Sequence, residues 1–309
     1  MHPNPLLEVL SVIKTFSHHK KKKAAINNIS LRVYPGETLA IAGESGSGKS
    51  TMAKMMVGLE RPSSGEILFK GKPLSSYDRK ERSTHIQMIF QDAYSALNPK
   101  MHIKRILQEP FHIHKREVSS KDIIDLLHLV SLSEDILEKY PHECSGGQRQ
   151  RIVIARALAL QPKLIVCDEP ISSLDVSIQA QILNLFSSLQ KQHNFTYVFI
   201  GHDLSVLRHI STRIAIFYLG ELVELAKTED FYTSPLHPYS ELLLSSIPTL
   251  DPERERKKHA SISSHCKTEE ETCACPFFPR CRYQQERCLK EKPSLQEKKE
   301  GHFVSCHIR

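Results

Sequence analysis

The sequence predicts an α/β fold built on a mostly parallel sheet, and three features carry that prediction. Short apolar runs of strand length alternate with helix-like segments from Thr38 to Tyr218. A glycine-rich turn, Gly43 to Ser50, joins one such strand directly to a helix. Another strand, Leu164 to Cys167, runs into the two carboxylates Asp168 and Glu169. Alternation of this kind gives parallel strands covered by helices, because each crossover lays a helix back over the sheet. The 309 residues suffice for one large domain with a substantial core and a smaller appendage. With 40% hydrophobic and 25% charged residues, the composition excludes wholesale disorder.

Leu7 to Phe16 and Ile26 to Tyr34 read as strands, the second from the alternation of Ile29, Leu31 and Val33 before the turn Pro35-Gly36-Glu37. They make an antiparallel start. The lysine run Lys20 to Lys23 between them is the focus of a net charge of +7. It reads as a solvated hairpin tip, since no aromatic-plus-basic pattern accompanies it, and no nucleic-acid partner is expected. Thr38 to Ala42 is a strand and Lys49 to Leu59 a helix; strands follow at Glu66 to Phe69, His85 to Phe90, Lys163 to Cys167, Thr196 to Ile200 and Arg213 to Tyr218. Lys121 to Val130 and Asp135 to Tyr140 suggest a helical insertion over about residues 100–160. Past residue 235 prolines, charges and cysteines replace apolar strands, which divides the chain into a main domain, 1–235, and a compact tail, 236–309, with no further sheet expected.

No run approaches the roughly 20 apolar residues of a membrane helix, and Met1 to Pro5 does not begin a secretory signal, so a cytoplasmic location is expected. Eight cysteines without such a signal argue against a disulfide framework. Cys144 and Cys167 stand alone, whereas Cys266, Cys273, Cys275, Cys281, Cys288 and Cys306 crowd into the end of the chain.

Gly43-Glu44-Ser45-Gly46-Ser47-Gly48-Lys49-Ser50, followed by Thr51, fits the phosphate-binding pattern G-x-x-x-x-G-K-[ST] in full. The glycines let backbone N–H groups turn inward, and the following helix sets its positive end beneath the phosphates. Lys49 is placed to reach the β- and γ-phosphates and the Ser50 hydroxyl to ligate Mg²⁺. Asp168, at a strand end where a parallel sheet presents ligands, is the second Mg²⁺ candidate. Glu169 is suited to polarise an attacking water.

Cys144-Ser145-Gly146-Gly147-Gln148-Arg149-Gln150-Arg151 resembles the signature of ATP-binding cassette (ABC) proteins, usually Leu-Ser-Gly-Gly-Gln, with Cys144 in place of the leucine. Two glycines at a helix start expose N–H groups to an anion, beside the Ser145 hydroxyl. The resemblance implies a P-loop NTPase cassette whose signature reaches the γ-phosphate held by an opposing subunit. It also assigns roles residue by residue. Gln91 is placed like the family's glutamine that senses Mg²⁺ and water, Ser173-Leu174-Asp175 like its D-loop, His202 like its switch histidine, and Phe16 like its adenine-stacking aromatic.

Gln91 to Met101, Asp168 to Gln181 and His237-Pro238-Tyr239 are similar to the oligopeptide and dipeptide importer branch, with Ala93 where that branch usually has proline. The resemblance implies a second, non-identical ATPase subunit, two membrane permease subunits and an extracytoplasmic substrate-binding protein as partners. The chain would sit at the cytoplasmic face of the plasma membrane. Nickel or glutathione import remains an alternative cargo, and a soluble cassette protein acting on ribosomes or DNA an alternative class. Cys275, Cys281, Cys288 and Cys306, spaced C-x5-C-x6-C-x17-C, resemble the branch's four-cysteine tail, where an iron–sulfur cluster of four irons is implied. Thiolates suit iron and zinc alike, and the spacing does not choose between them.

Overall fold

In the computed structural model of the chain, residues 4–18, 21–247 and 273–309 are described. Twelve strands among them form two sheets. Strands β1 (Leu7–His18) and β2 (Lys21–Val33) pair antiparallel, and β4 (Ser64–Phe69) and β5 (Lys72–Pro73) complete a four-stranded sheet in the order β2-β1-β4-β5, given β3 as Thr38–Ala42. The pairing of His18 with Lys21 puts the lysine run at the hairpin end, as expected, although Lys20 lies outside the described residues.

The larger sheet takes β3 together with β6 (Ile86–Ile89), β7 (Leu164–Asp168), β8 (Thr196–Gly201), β9 (Arg213–Tyr218), β10 (Glu221–Lys227), β11 (Gln296–Lys299) and β12 (His302–Val304). Its order is β11-β12-β10-β9-β3-β8-β7-β6, parallel from β9 to β6 and antiparallel beyond β9. Period-two alternation divides the core. Leu39 and Ile41 of β3 face a cluster with Met52, Met55 and Met56 of α1 (Lys49–Met56) and the smaller sheet's Leu7, Val9 and Ile67. Ala40 and Ala42 face the other cluster, which the insertion helices fill: α3 (Ile103–Ile113), α4 (Ser120–Leu129) and α5 (Gly146–Leu158) follow the short α2 (Arg79–His85). Helix α6 (Val176–His193) and α7 (Leu204–Ile210) cover the same face. The predicted segment Asp135 to Tyr140 is a 3₁₀ turn, Glu134–Glu138, instead of a full helix.

The tail differs from its expectation, because it continues the large sheet instead of leaving it. After α8 (Thr228–Thr233) and α9 (Pro238–Ser245), the chain returns through α10 (Glu286–Lys290) to lay β12 against β10, pairing Glu224 with Val304 and Leu225 with Phe303. Glu224 explains why the sequence hid this edge: a carboxylate in mid-strand breaks the apolar pattern. It is fully buried and satisfied, accepting from the Leu236 and His237 backbone N–H groups at 2.8 Å each, with His302 Nε2 2.7 Å away. A buried carboxylate with three donors is a staple, since removing any partner strands a desolvated polar group. No helix among the described residues is long and apolar enough to cross a membrane.

Candidate functional site

The unit β3–loop–α1 forms the floor of the site. At Gly43 (φ 151°) a Cβ would lie 2.1 Å from the Phe217 carbonyl oxygen, and at Gly48 (φ 98°) 2.4 Å from that of Ala25. Only glycine allows the backbone to pass so closely in these conformations. Between them Glu44, Ser45 and Gly46 form the exposed crest, while the loop is pinned from below. Ser47 N–H donates to the Glu44 carbonyl (3.2 Å), and Gly220 N–H donates to the Ser47 carbonyl (3.1 Å). The Ser47 hydroxyl is buried with no hydrogen-bond partner, and Thr51 is half-buried on the first turn of α1. The Lys49 ammonium donates to the carbonyls of Gly43 and Glu44, both at 2.8 Å. Burial pushes its pKa below the usual lysine value, and the charges of Glu169, Asp168 and Glu44 oppose that shift. A desolvated ammonium inside a ring of backbone dipoles is a strong anion ligand.

The carboxyl ends of β7, β8 and β6 bring the other candidates together. Ser50 Oγ donates to Asp168 Oδ1 at 3.0 Å. Burial raises the Asp168 pKa above its ordinary value, with the Ser50 hydrogen bond acting in the opposite direction. One hydroxyl and one carboxylate side by side at the phosphate loop are the hard oxygen donors that Mg²⁺ takes from protein, so the pair fits that ion. Glu169 adopts φ 47°, a left-handed conformation that costs a non-glycine residue about 1–2 kcal/mol, and its N–H is tied to the Ile200 carbonyl at 3.0 Å. The turn aims its carboxylate at two neighbours. Gln91 Nε2 donates to Glu169 Oε2 at 3.2 Å, and His202 Nδ1 lies 3.2 Å from the same oxygen. Gln91 and His202, more than a hundred positions apart in the chain, thus converge on one oxygen of Glu169.

The signature candidates are arranged differently. Ser145 is the N-cap of α5, accepting from Gln148 N–H (3.2 Å) while Gln148 Oε1 accepts from Ser145 N–H (2.9 Å), a reciprocal capping box. Gly146 and Gly147 form the first turn, where a Cβ on Gly147 would meet Ile178 Cγ2 at 2.9 Å. Cys144 is buried in the helical layer, so the departure from leucine keeps an apolar packing position. Asp175 caps α6 by its backbone, and Gln179, which the sequence did not single out, holds the preceding loop through the Ile171 and Leu174 carbonyls. Phe16 stands exposed on β1, with Lys14 Nζ 4.9 Å from its ring centroid.

Cys275, Cys281, Cys288 and Cys306 line one small cavity, together with His237, Phe277 and His307. All four are free thiols, and Cys273 does not reach the cavity; Cys266 lies outside the described residues. Burial pushes the Cys275 pKa up to about 11, with Cys288, Cys281 and Cys306 adding to the shift, and raises those of Cys281 and Cys306. The donor chemistry suits a thiolate-bound metal. Even so, among the described residues no group of three or more His, Cys, Asp or Glu side chains is arranged to hold a metal ion. Arg280, whose role the sequence did not show, links this module to the phosphate loop through a double hydrogen bond to the Glu44 carboxylate, and Tyr239 of α9, noted in the sequence only for its resemblance, accepts from Glu44 N–H through its Oη.

Comparison with known proteins agrees with this geometry. Residues 26–172 match the ABC transporter family, and residues 223–288 match the C-terminal region of oligopeptide/dipeptide transporters. The chain is 43% identical to a putative oligopeptide transport ATP-binding protein, YkfD, of Bacillus subtilis, covering 98% of this chain and 95% of that one. It is 43% identical to the oligopeptide transport ATP-binding protein OppF of Haemophilus influenzae, covering 91% and 88%. Among solved structures, the dimeric ATP-binding cassette MJ0796 in a post-hydrolysis state bound to ADP and Pi superposes with a TM-score of 0.65 at 30% identity, over 72% of this chain and 98% of that one. A glycine-closed loop of the phosphate-binding pattern, an oxygen pair beside it, a carboxylate contacted by Gln91 and His202, and relatives spanning nearly the whole chain lead to one conclusion: this chain belongs to the ABC transporter family, as an ATP-hydrolysing cassette of its oligopeptide/dipeptide branch.

Proposed function

We propose that the chain is the ATPase subunit of a membrane importer for oligopeptides or dipeptides, binding peripherally to the cytoplasmic face of the membrane. The cassette is read as residues 1–235 and the branch-specific tail as 236–309. The convergence of Gln91 and His202 on Glu169 Oε2 carries the catalytic part of this reading. In it, Glu169 orients the attacking water and accepts its proton, Gln91 and His202 hold that carboxylate at the γ-phosphate, and Lys49 with the loop N–H groups binds the phosphates. Ser50 and Asp168 would hold Mg²⁺, whose charge would stabilise the developing negative charge on the transferring group. Phe16 stacks on adenine, with Lys14 beside it.

Ser145, Gly146, Gly147 and Gln148 complete the site of a second, non-identical ATPase, and Asp175 lines the contact between the two. Two permease subunits receive the resulting motion, and a substrate-binding protein delivers the peptide. The C-terminal match and the relatives' shared description support peptide over nickel or glutathione as cargo. Purification of the assembled transporter from its host, followed by mass spectrometry of the bound cargo, tests this directly. Recovery of peptides with two permeases and a second cassette is the expected result; a nickel complex or glutathione alone would overturn the cargo assignment, and recovery without any membrane subunit would overturn transport.

The four cavity-lining cysteines are proposed to hold one metal centre, a 4Fe-4S cluster in preference to zinc. The preference for a cluster rests on the resemblance of these cysteines to the branch's four-cysteine tail, and the four thiols share one cavity. Such a centre would act as a covalent staple for a segment poor in apolar residues. Protein purified without oxygen is expected to be brown, with about four irons per chain, and Cys288→Ser to bleach it. Colourless protein containing zinc would replace the cluster with zinc on the same ligands, and metal-free protein with an ordered tail would remove both.

A further inference from the structure

We infer that the C-terminal cysteine module clamps the phosphate loop through Arg280, making Arg280 a positioning residue for ATP. This rests on the reading of that loop as the ATP site. Glu44 is held at all three of its polar groups. Its N–H donates to Tyr239 Oη at 2.9 Å, its carbonyl accepts the Lys49 ammonium at 2.8 Å, and its carboxylate receives Arg280 Nη1 and Nη2 at 2.9 Å each. The loop residue that orients Lys49 is therefore fixed by two side chains from the last third of the sequence.

The clamp is stiff on the tail side. Arg280 ends the 3₁₀ turn Phe278–Arg280, which lies between Cys275 and Cys281, and its N–H donates to the Phe277 carbonyl at 3.0 Å. Its guanidinium lies over the rings of Tyr218 and Phe277, 5.8 and 5.9 Å from their centroids. Those rings and Tyr239 pack on one another, with centroids 4.6–5.5 Å apart. The planar fork and the stacked face are properties of arginine that lysine lacks. Through this path the order of the cysteine centre is transmitted to the carbonyl that holds Lys49. Without the clamp, Glu44 and the exposed crest keep their hydrogen bonds to the loop itself but lose their fixed direction, and ordering them on ATP binding weakens affinity.

The test is equilibrium ATP binding to the full chain, with KM and kcat measured in the assembled transporter. Arg280→Ala is expected to weaken ATP binding and raise KM by roughly 3- to 10-fold, the scale of one partly exposed ion pair with aromatic contacts, while kcat changes less than about twofold. Glu44→Ala should give a similar loss, the double variant no more than either alone, and the exchanged pair Arg280→Glu with Glu44→Arg a partial recovery. Arg280→Lys, which preserves charge and folding, should fall between wild type and Arg280→Ala. Unchanged affinity in Arg280→Ala, or losses that multiply in the double variant, would overturn the clamp. Lys49→Ala measured alongside separates the two claims: if it too leaves ATP binding unchanged, the loop reading has failed, and if it alone abolishes binding, only the clamp has.

Discussion

Lys49→Ala is expected to weaken ATP binding by at least about 30-fold, the factor that follows from truncating one partner of a desolvated charge pair. The side chain is 5% exposed and sits among the carbonyls of its own loop. Its charge is offset there only by dipoles and by the nearby Asp168, Glu169 and Glu44. A polyphosphate entering the loop meets an ammonium already stripped of water, so little solvent must be displaced when the pair forms. The alanine variant keeps the glycine turns and the α1 dipole, which leaves some residual affinity. Equilibrium binding with a fluorescent ATP analogue checks the expectation, with thermal melting to show that the buried site has not collapsed.

Glu169→Gln should leave ATP affinity within a few-fold of wild type and slow hydrolysis by roughly 10²- to 10⁴-fold, the range for loss of a general base. The amide fills the same space and can still contact Gln91 and His202, but it accepts a proton far less readily. Single-turnover phosphate release from the assembled transporter checks this. Wild-type turnover in that variant would move the base elsewhere, with His202 the next group in reach of the same point.

The phosphate loop was legible because its chemistry is local: eight consecutive residues specify both the turn and the ligands. The nearness of Ser50 to Asp168 was legible at one remove, since parallel strands carry their ends to the same edge of a sheet, whereas Gln91 and His202 were placed by resemblance alone and their meeting on Glu169 was not foreseen. What the sequence concealed depends on partners far apart in the chain. Glu224 reads as a strand-breaking charge until His302, 78 residues away, is seen buried against it. That pair also explains why the tail was expected to leave the sheet when β12 in fact joins it. Arg280 lies in a tail rich in charged side chains whose ordinary fate is solvation, and nothing local marks Glu44, 236 residues earlier, as its partner. The proline-rich stretch Pro276 to Pro279, which holds Phe277 and Arg280 between two cysteines, was the available signal.

The most direct test of the whole account is peptide uptake into proteoliposomes carrying the assembled transporter, with ATP on the side of the cassettes and the binding protein on the other. Wild-type complex is expected to accumulate labelled peptide only when ATP and Mg²⁺ are present, and complex carrying Glu169→Gln is expected to assemble and hold ATP yet accumulate almost none. Undiminished peptide uptake in that variant would contradict the claim that hydrolysis at the Glu169 site drives the transport cycle.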